Sequence, residues 1–286
     1  MRSRPLTPWI WLFPAGALLI PFFILPLAIV VRNSIYRDDP MGFLVADFTI
    51  ANYIRAVTDP YYVSIFSNTL IVAAIVTLAA LLIAYPFAYL VVRASGASRS
   101  VLIWCIYVPL YVSVIMRAFG WTIILSDSGL INEGLLAIGA IRQPVRLLYE
   151  AEGMTLVMLH RYLPLMIIPL VASLQKVNFN LIKASRNLGA SRAHTIWRVT
   201  LPLSLPGIVG GSQLVFAGVL SDYAMPALMG STKFQLLAPA IYYEAVTNSS
   251  WGLAGAIATL VLVIVALFLF VMNALLKRFA PWAPAL

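Results

Sequence analysis

The sequence predicts an all-α, polytopic membrane protein with six transmembrane helices. Three observations carry that prediction. Of 286 residues, 62% are hydrophobic and only 10% are charged, and the mean hydropathy is +0.94. Soluble domains run at about 45–50% apolar and about 25% charged, so an ordinary water-soluble globule is excluded. The apolar residues fall into six runs, each long enough to cross a bilayer, which takes roughly 20 residues. The charges are sorted by loop, in the pattern that membrane insertion imposes.

The six runs are Trp9–Val31, Ile65–Val92, Val101–Leu125, Met154–Leu174, Gly207–Met229 and Trp251–Leu276. An isolated segment in lipid must satisfy its own backbone hydrogen bonds, so each is expected to be helical. Pro21, Pro26, Pro86, Pro109, Pro164 and Pro169 lie inside these runs. In a membrane, neighbouring helices can satisfy the freed carbonyls, so kinks are expected rather than ends. The first run follows Arg2 and Arg4, as a signal peptide's apolar core would. It is long for that and lacks a clear small-residue cleavage site, and it reads as a retained first span.

Loops 1–8, 93–100, 175–206 and 277–286 together hold 11 basic residues and no acid. Loops 32–64, 126–153 and 230–250 hold 6 basic and 9 acidic residues. The positive-inside rule therefore places both termini in the cytoplasm. The net charge of +9 is mainly this topology signal, not a nucleic-acid footprint. Tyr61, Tyr62, Trp121, Tyr242, Tyr243, Trp251 and Trp282 sit near span ends and read as an interfacial aromatic belt. Segments Leu130–Ile141 and Phe234–Val246 read as short interfacial helices on the outer side.

Residues 175–206 form the only long cytoplasmic loop. Asn178 or Asn180 can cap a helix running to Leu188, and Gly189 stands where a left-handed C-cap is wanted. Leu181, Ala184, Ser185 and Leu188 share one helical face. Ser191 can cap a second helix through Ile196, Trp197 and Val199, and Pro202 and Pro206 break the path before the fifth span. Two readings stand for this helix–turn–helix on physics alone. It docks into a partner's groove, or it rests as a basic amphipathic segment on anionic headgroups.

Three charges fall inside the spans: Arg117, Arg161 and Asp222. A charge at mid-membrane costs roughly 2.5–3.5 kcal/mol on the insertion scale, so each needs a reason. Asp222 either faces a path and attracts a substrate ammonium group, with Tyr223 adding a cation–π face, or it pairs with Arg117 or Arg161, or it stays hydrated near the outer surface. The two arginines read as paired, snorkelling or lining a subunit interface. His160 reads as a satisfied interior histidine. Cys105 is the single cysteine, and no Cys/His set has zinc spacing. No G-x-x-x-x-G-K-[ST] phosphate loop and no recognisable Ser/His/Asp or Cys/His set is present, which argues against an ATPase or a membrane enzyme.

The long loop resembles the cytoplasmic signature of inner-membrane permeases of binding-protein-dependent ABC importers. That signature reads Glu-Ala-Ala, three residues, Gly, nine residues, then Ile-x-Leu-Pro. Here Lys183-Ala184-Ser185, three residues and Gly189-Ala190 are followed, nine residues after Gly189, by Val199-Thr200-Leu201-Pro202. Lys183 replaces Glu and Ser185 replaces the second Ala. Asn68-Thr69, Arg117 with Trp121, Gly129-Leu-Ile-Asn132 and Asp222-Tyr-Ala-Met-Pro226-Ala-Leu-Met-Gly230 resemble the spermidine/putrescine-type branch.

The resemblance implies the type I ABC importer permease fold as one domain over 1–286. It makes Lys183, Ala184, Ser185, Leu188, Gly189 and Ala190 the coupling helix that a cytoplasmic ATPase dimer grips. It implies a second permease subunit, a solute-binding protein and a polyamine-like cargo in a bacterial inner membrane, with Asp222, Tyr223 and Arg117 as candidates for the path. ATP and Mg would be bound by the partner ATPase and no cofactor by this chain. The rival function is an ion-gradient-driven transporter or channel subunit, which would need intramembrane titratable groups, and Asp222 stands nearly alone.

Overall fold

A computed structural model describes residues 7–39, 44–230 and 234–280. Arg2, Arg4, Lys233 and Trp282, used above for topology and the aromatic belt, lie outside the described residues. Among the described residues, five helices are long and apolar enough to cross a membrane, and a bent pair makes up to six. Helices α1 (Thr7–Ser34), α3 (Pro60–Arg93), α7 (Ala151–Gln175) and α14 (Trp251–Phe279) coincide with the first, second, fourth and sixth expected spans.

The other two spans differ from expectation. The third, expected as one helix over Val101–Leu125, breaks into α4 (Gly96–Tyr111) and α5 (Val114–Leu125), with Val112 and Ser113 extended between them. Pro109 supplies no N–H to the preceding turn, and the chain then leaves the helix. The fifth, expected over Gly207–Met229, ends at Ser221 as α11 (Leu205–Ser221), and α12 (Ala224–Met229) follows as a separate turn. Pro226 is the reason. It cannot donate to the Asp222 carbonyl, and its ring crowds that same carbonyl.

The chain divides into two compact units. The first comprises Met1–Val63 and Ala240–Leu262. It contains a feature the all-α expectation missed, an antiparallel hairpin of β1 (Tyr36–Asp38) and β2 (Leu44–Phe48) in the loop after α1. The Tyr36 and Phe48 rings meet edge to face at 5.3 Å. From α2 (Ala51–Thr58), the Asn52 amide donates to the carbonyls of Ser34 (3.1 Å) and Tyr36 (2.8 Å). The Asp38 carboxylate accepts from the N–H groups of Gly252 (2.7 Å) and Leu253 (3.1 Å), capping the start of α14. Four N–H groups at a helix start lack intrahelical partners, and the hairpin supplies two acceptors. Glycine is required at 252, because a Cβ there would lie 2.5 Å from the Tyr36 carbonyl oxygen.

Tyr62 departs from the belt reading. It is buried and donates to Glu244 Oε1 at 2.7 Å, while the Asn248 amide donates to Oε2 at 3.0 Å. Tyr61, Tyr242, Tyr243 and Trp251 are each about half exposed, as belt residues should be. Helix α13 (Leu237–Tyr242) continues as a π-helical turn over Tyr243–Thr247, and α6 (Leu130–Ala137) occupies the other expected outer segment.

The second unit comprises Ser64–Pro239 and Val263–Leu286. Its centre is the pairing of α7 with α11. Lipid tails are as apolar as leucine, so helices in a bilayer associate through close packing at small residues. Gly207 and Gly211 form a small-xxx-small pair against α7. A Cβ on Gly207 would lie 2.5 Å from the Ser173 Cβ and 2.7 Å from the Pro169 carbonyl oxygen. Further along, Gly218 lies under the Tyr162 ring, and the Tyr162 hydroxyl donates to the Gly218 carbonyl at 2.7 Å. Met158, Met166 and Leu170 of α7 and Val215, Val219 and Leu220 of α11 fill the interface and are nearly inaccessible.

Candidate functional site

Two places in the second unit combine polar chemistry with a break in regular structure. One is the long loop. The other is the end of the fifth span.

The loop folds into two short helices held at a fixed angle by their ends. Helix α8 (Phe179–Asn187) starts at Asn178, whose side chain accepts from Asn180 N–H at 2.9 Å. It ends in a full Schellman turn: Gly189 N–H reaches the Arg186 carbonyl at 3.0 Å and Ala190 N–H reaches Ser185 at 3.2 Å. Gly189 has φ +85°, the left-handed region where a side chain costs energy. Helix α9 (Arg192–Thr195) starts at Ser191, whose hydroxyl accepts from His194 N–H at 3.2 Å. Ser185 Oγ and Thr195 Oγ1, 3.1 Å apart, share a hydrogen bond that ties the two helices. Thus Ser185, one of the two departures from the signature the loop resembles, is used internally.

Ile182 is the inward anchor of α8, among Leu174, Val177, Phe179 and Thr200. Leu181, Lys183, Ala184, Leu188 and Gly189 are exposed, and Leu188 at 89% is almost wholly free of the chain. Of the face shared by Leu181, Ala184, Ser185 and Leu188, three residues are exposed and Ser185 is half-buried.

The path from this loop into the membrane is bent. After α9 the chain forms a π-helical turn over Ile196–Thr200, closed by Leu201 N–H on the Ile196 carbonyl five residues back. Pro202 has no N–H to keep the α-helical ladder, and Pro206 crowds the carbonyl four residues before it. The helix through Leu203 and α11 therefore meet at 66°. Ser204 sits at the bend, fully buried. Its Oγ donates to the Leu201 carbonyl at 3.0 Å and shares a hydrogen bond with the Tyr85 hydroxyl of α3 at 3.1 Å. Nothing in the linear sequence singled out Tyr85, because its partner is 119 positions away.

At the end of the fifth span, Asp222 pairs with Arg161 of α7. Arg161 Nε lies 2.9 Å from Asp222 Oδ2. The Tyr162 hydroxyl approaches the same oxygen at 3.1 Å, and Oδ1 accepts from Met225 N–H at 3.3 Å, capping α12. The Asp222 side chain is 2% exposed and that of Arg161 22%. Tyr223, next in the chain, is partly exposed. Arg117 lies within electrostatic reach of this pair but does not bond to Asp222. Its guanidinium donates to the Pro109 and Val112 carbonyls, the free end of α4. A cation there neutralises the negative end of the helix dipole and satisfies carbonyls that lipid cannot. The structure thus brings Asp222 and Arg161 together and leaves Arg117 on the broken third span. His160 is exposed and accepts from Trp121 Nε1 at 3.3 Å. No group of three or more His, Cys, Asp or Glu is placed to hold a metal among the described residues.

Apolar helices broken at charged points, with an exposed and capped helix–turn–helix between two of them, describe a polytopic membrane protein. Comparison with known proteins agrees. Residues 146–283 match the family model for the binding-protein-dependent transport system inner membrane component. The chain is 31% identical over 253 residues to the spermidine/putrescine transport system permease protein PotB of Escherichia coli (strain K12), covering 88% of this chain and 92% of that one. It is 30% identical over 263 residues to the PotB protein of Haemophilus influenzae, covering 91% and 92%. Among solved structures, it superposes with TM-score 0.74 and 18% identity on a chain of a bacterial ABC transporter involved in the import of the acidic polysaccharide alginate, covering 95% of both chains. The chain belongs to the family of inner-membrane permease components of binding-protein-dependent transport systems. It is a transport subunit of an ABC importer, carrying that fold.

Proposed function

We propose that residues 1–286 work as one permease domain of an ATP-driven importer for a polyamine or a related amine, with residues 183–190 as the handle that a cytoplasmic ATPase grips. The cargo class rests on the relatives, which are named for spermidine and putrescine. The handle rests chiefly on one observation: Leu188 stands almost fully exposed on a tip fixed by a Schellman turn and two side-chain caps. A mobile tether between two spans would need none of those devices.

In this reading both termini and the 175–206 loop face the cytoplasm, which the charge asymmetry supports. A second, related permease completes the pathway, two ATPases dock on the loops, and an outer solute-binding protein delivers cargo. ATP and Mg bind to the ATPases. Their closure draws the handles together, and the motion enters the membrane through the Ser204 bend, turning the path outward. This is rigid rearrangement about fixed elements. Asp222 is the one acid within the six apolar runs, and an amine passing it would compete with Arg161 for the carboxylate. Tyr223 offers a ring face beside it. Arg117 contributes by holding open the break in the third span.

The test is uptake of radiolabelled spermidine into vesicles containing the permease pair and ATPase, with binding protein added. Uptake that needs both ATP and binding protein is expected. Uptake driven by an imposed proton or sodium gradient without ATP would contradict the importer mechanism. ATP hydrolysis stimulated by another loaded binding protein, with spermidine inert, would contradict the amine assignment alone.

A further inference from the structure

The handle carries a charge pattern that no ion pair balances among the described residues. Lys176, Lys183, Arg186, Arg192 and Arg198 are all exposed, and residues 154–221 contain no acid. Neither ion pair among the described residues involves any of the five. Set among these cations are the exposed apolar side chains Leu181, Leu188 and Trp197. Lys183 and Arg186 are three residues apart on α8 and so neighbour one another on its surface, and Arg192 opens α9 beyond the turn.

An anionic lipid surface is a poor match for this arrangement. Surface-lying helices present a continuous apolar stripe. Here α8 is only nine residues long, Ile182 is turned inward, and Leu188 projects from a tight turn. The apolar part is a knob with a cationic surround, the shape that fills a pocket.

We infer that the ATPase surface receiving this tip is a pocket with an apolar floor and a rim of carboxylates, one of them opposite Lys183. The inference rests on the reading of 183–190 as the ATPase handle and adds the sign of its socket. Complementary charge across an interface chiefly sets partner choice, and like charges brought together are strongly disfavoured. Lys183 is therefore a specificity determinant. An ATPase shaped for a permease with Glu at this position places the wrong charge against it.

The test uses the full transporter, tagged on this chain and purified in detergent, with MgATP hydrolysis per mole of permease reporting retained ATPase. The expected result for Lys183→Glu with Arg186→Glu is a loss of about tenfold or more, with the charge-keeping Lys183→Arg losing far less. Retention by the parent should also fall as salt rises from about 0.05 to 0.5 M, across which the screening length shrinks severalfold. Lysine substitutions at the rim carboxylates of the ATPase should restore binding of the double variant. All the altered positions are exposed, and an unchanged gel-filtration profile confirms folding. If Leu188→Asp releases the ATPase but the double reversal does not, the acidic rim is wrong and the handle stands. If neither releases it, the handle itself is wrong. ATPase retained while binding to phosphatidylglycerol vesicles is lost would assign the cations to lipid and overturn the proposal.

Discussion

Removing the two halves of the Arg161–Asp222 pair should have unequal effects. Asp222 is the deeper group, with its side chain 2% exposed against 22% for Arg161. Arg161→Met leaves a carboxylate in a site from which water is excluded. Its remaining donors are the Tyr162 hydroxyl at 3.1 Å, which is shared with the Gly218 carbonyl, and Met225 N–H at 3.3 Å. Breaking a buried pair from one side costs about 3–5 kcal/mol. Asp222→Asn keeps a side-chain oxygen for Met225 N–H and leaves the arginine able to reach water through its exposed part, so the cost is about 1–3 kcal/mol. The double variant should be more stable than Arg161→Met alone, because no uncompensated charge remains. A double-mutant cycle of unfolding in mixed detergent micelles measures this. The reasoning is refuted if the single variants cost the same and the double variant is their sum, since that would mean the pair is hydrated in the native protein.

Three further outcomes follow from the geometry. Gly207→Ala should destabilise the protein by about 1–3 kcal/mol through overpacking against Ser173 and the Pro169 backbone, read as a lower Tm; Gly211→Ala should cost less, because its closest neighbour is the flexible Met166 thioether. Asp38→Ala strips two N–H acceptors from the start of α14 and should cost about 1–2 kcal/mol, with faster amide exchange confined to Gly252 and Leu253. Tyr85→Phe removes the tie to Ser204 at the 66° bend and leaves the serine's own bond to Leu201. ATP hydrolysis by the assembled importer should continue while uptake falls severalfold; equal losses of both would show that the tie serves assembly rather than coupling.

Much of this architecture could be read from the linear sequence because the bilayer imposes one-dimensional rules. A run of apolar residues such as Trp251–Leu276 has no soluble alternative, and the sorting of lysine and arginine needs no knowledge of contacts. The loop was legible for another reason: Asn178, Gly189 and Ser191 act on neighbours within a few positions, so their roles are local. The breaks at Val112 and Asp222 were not legible, because hydropathy does not register a lost helical hydrogen bond. Pro109 and Pro226 carried a signal there, but Pro164 and Pro169 stand inside the unbroken α7, so proline alone does not decide. At the first break the Arg117 guanidinium satisfies the Pro109 and Val112 carbonyls at the end of α4, a contact that hydropathy does not record. The choice of Arg161 over Arg117 as partner of Asp222, and the links from Asp38 to α14 and from Tyr62 to Glu244, join residues 61 to 215 positions apart and follow only from the packed chain.

The most direct measurement places a cysteine at the tip of the loop. In a Cys105→Ser background, Leu188→Cys should form a cross-link to the ATPase subunit in active membranes, with a yield that changes when MgATP is added. A cysteine at 188 that reacts only with soluble thiol reagents, while transport proceeds at the parent's rate, would show that no motor holds the loop.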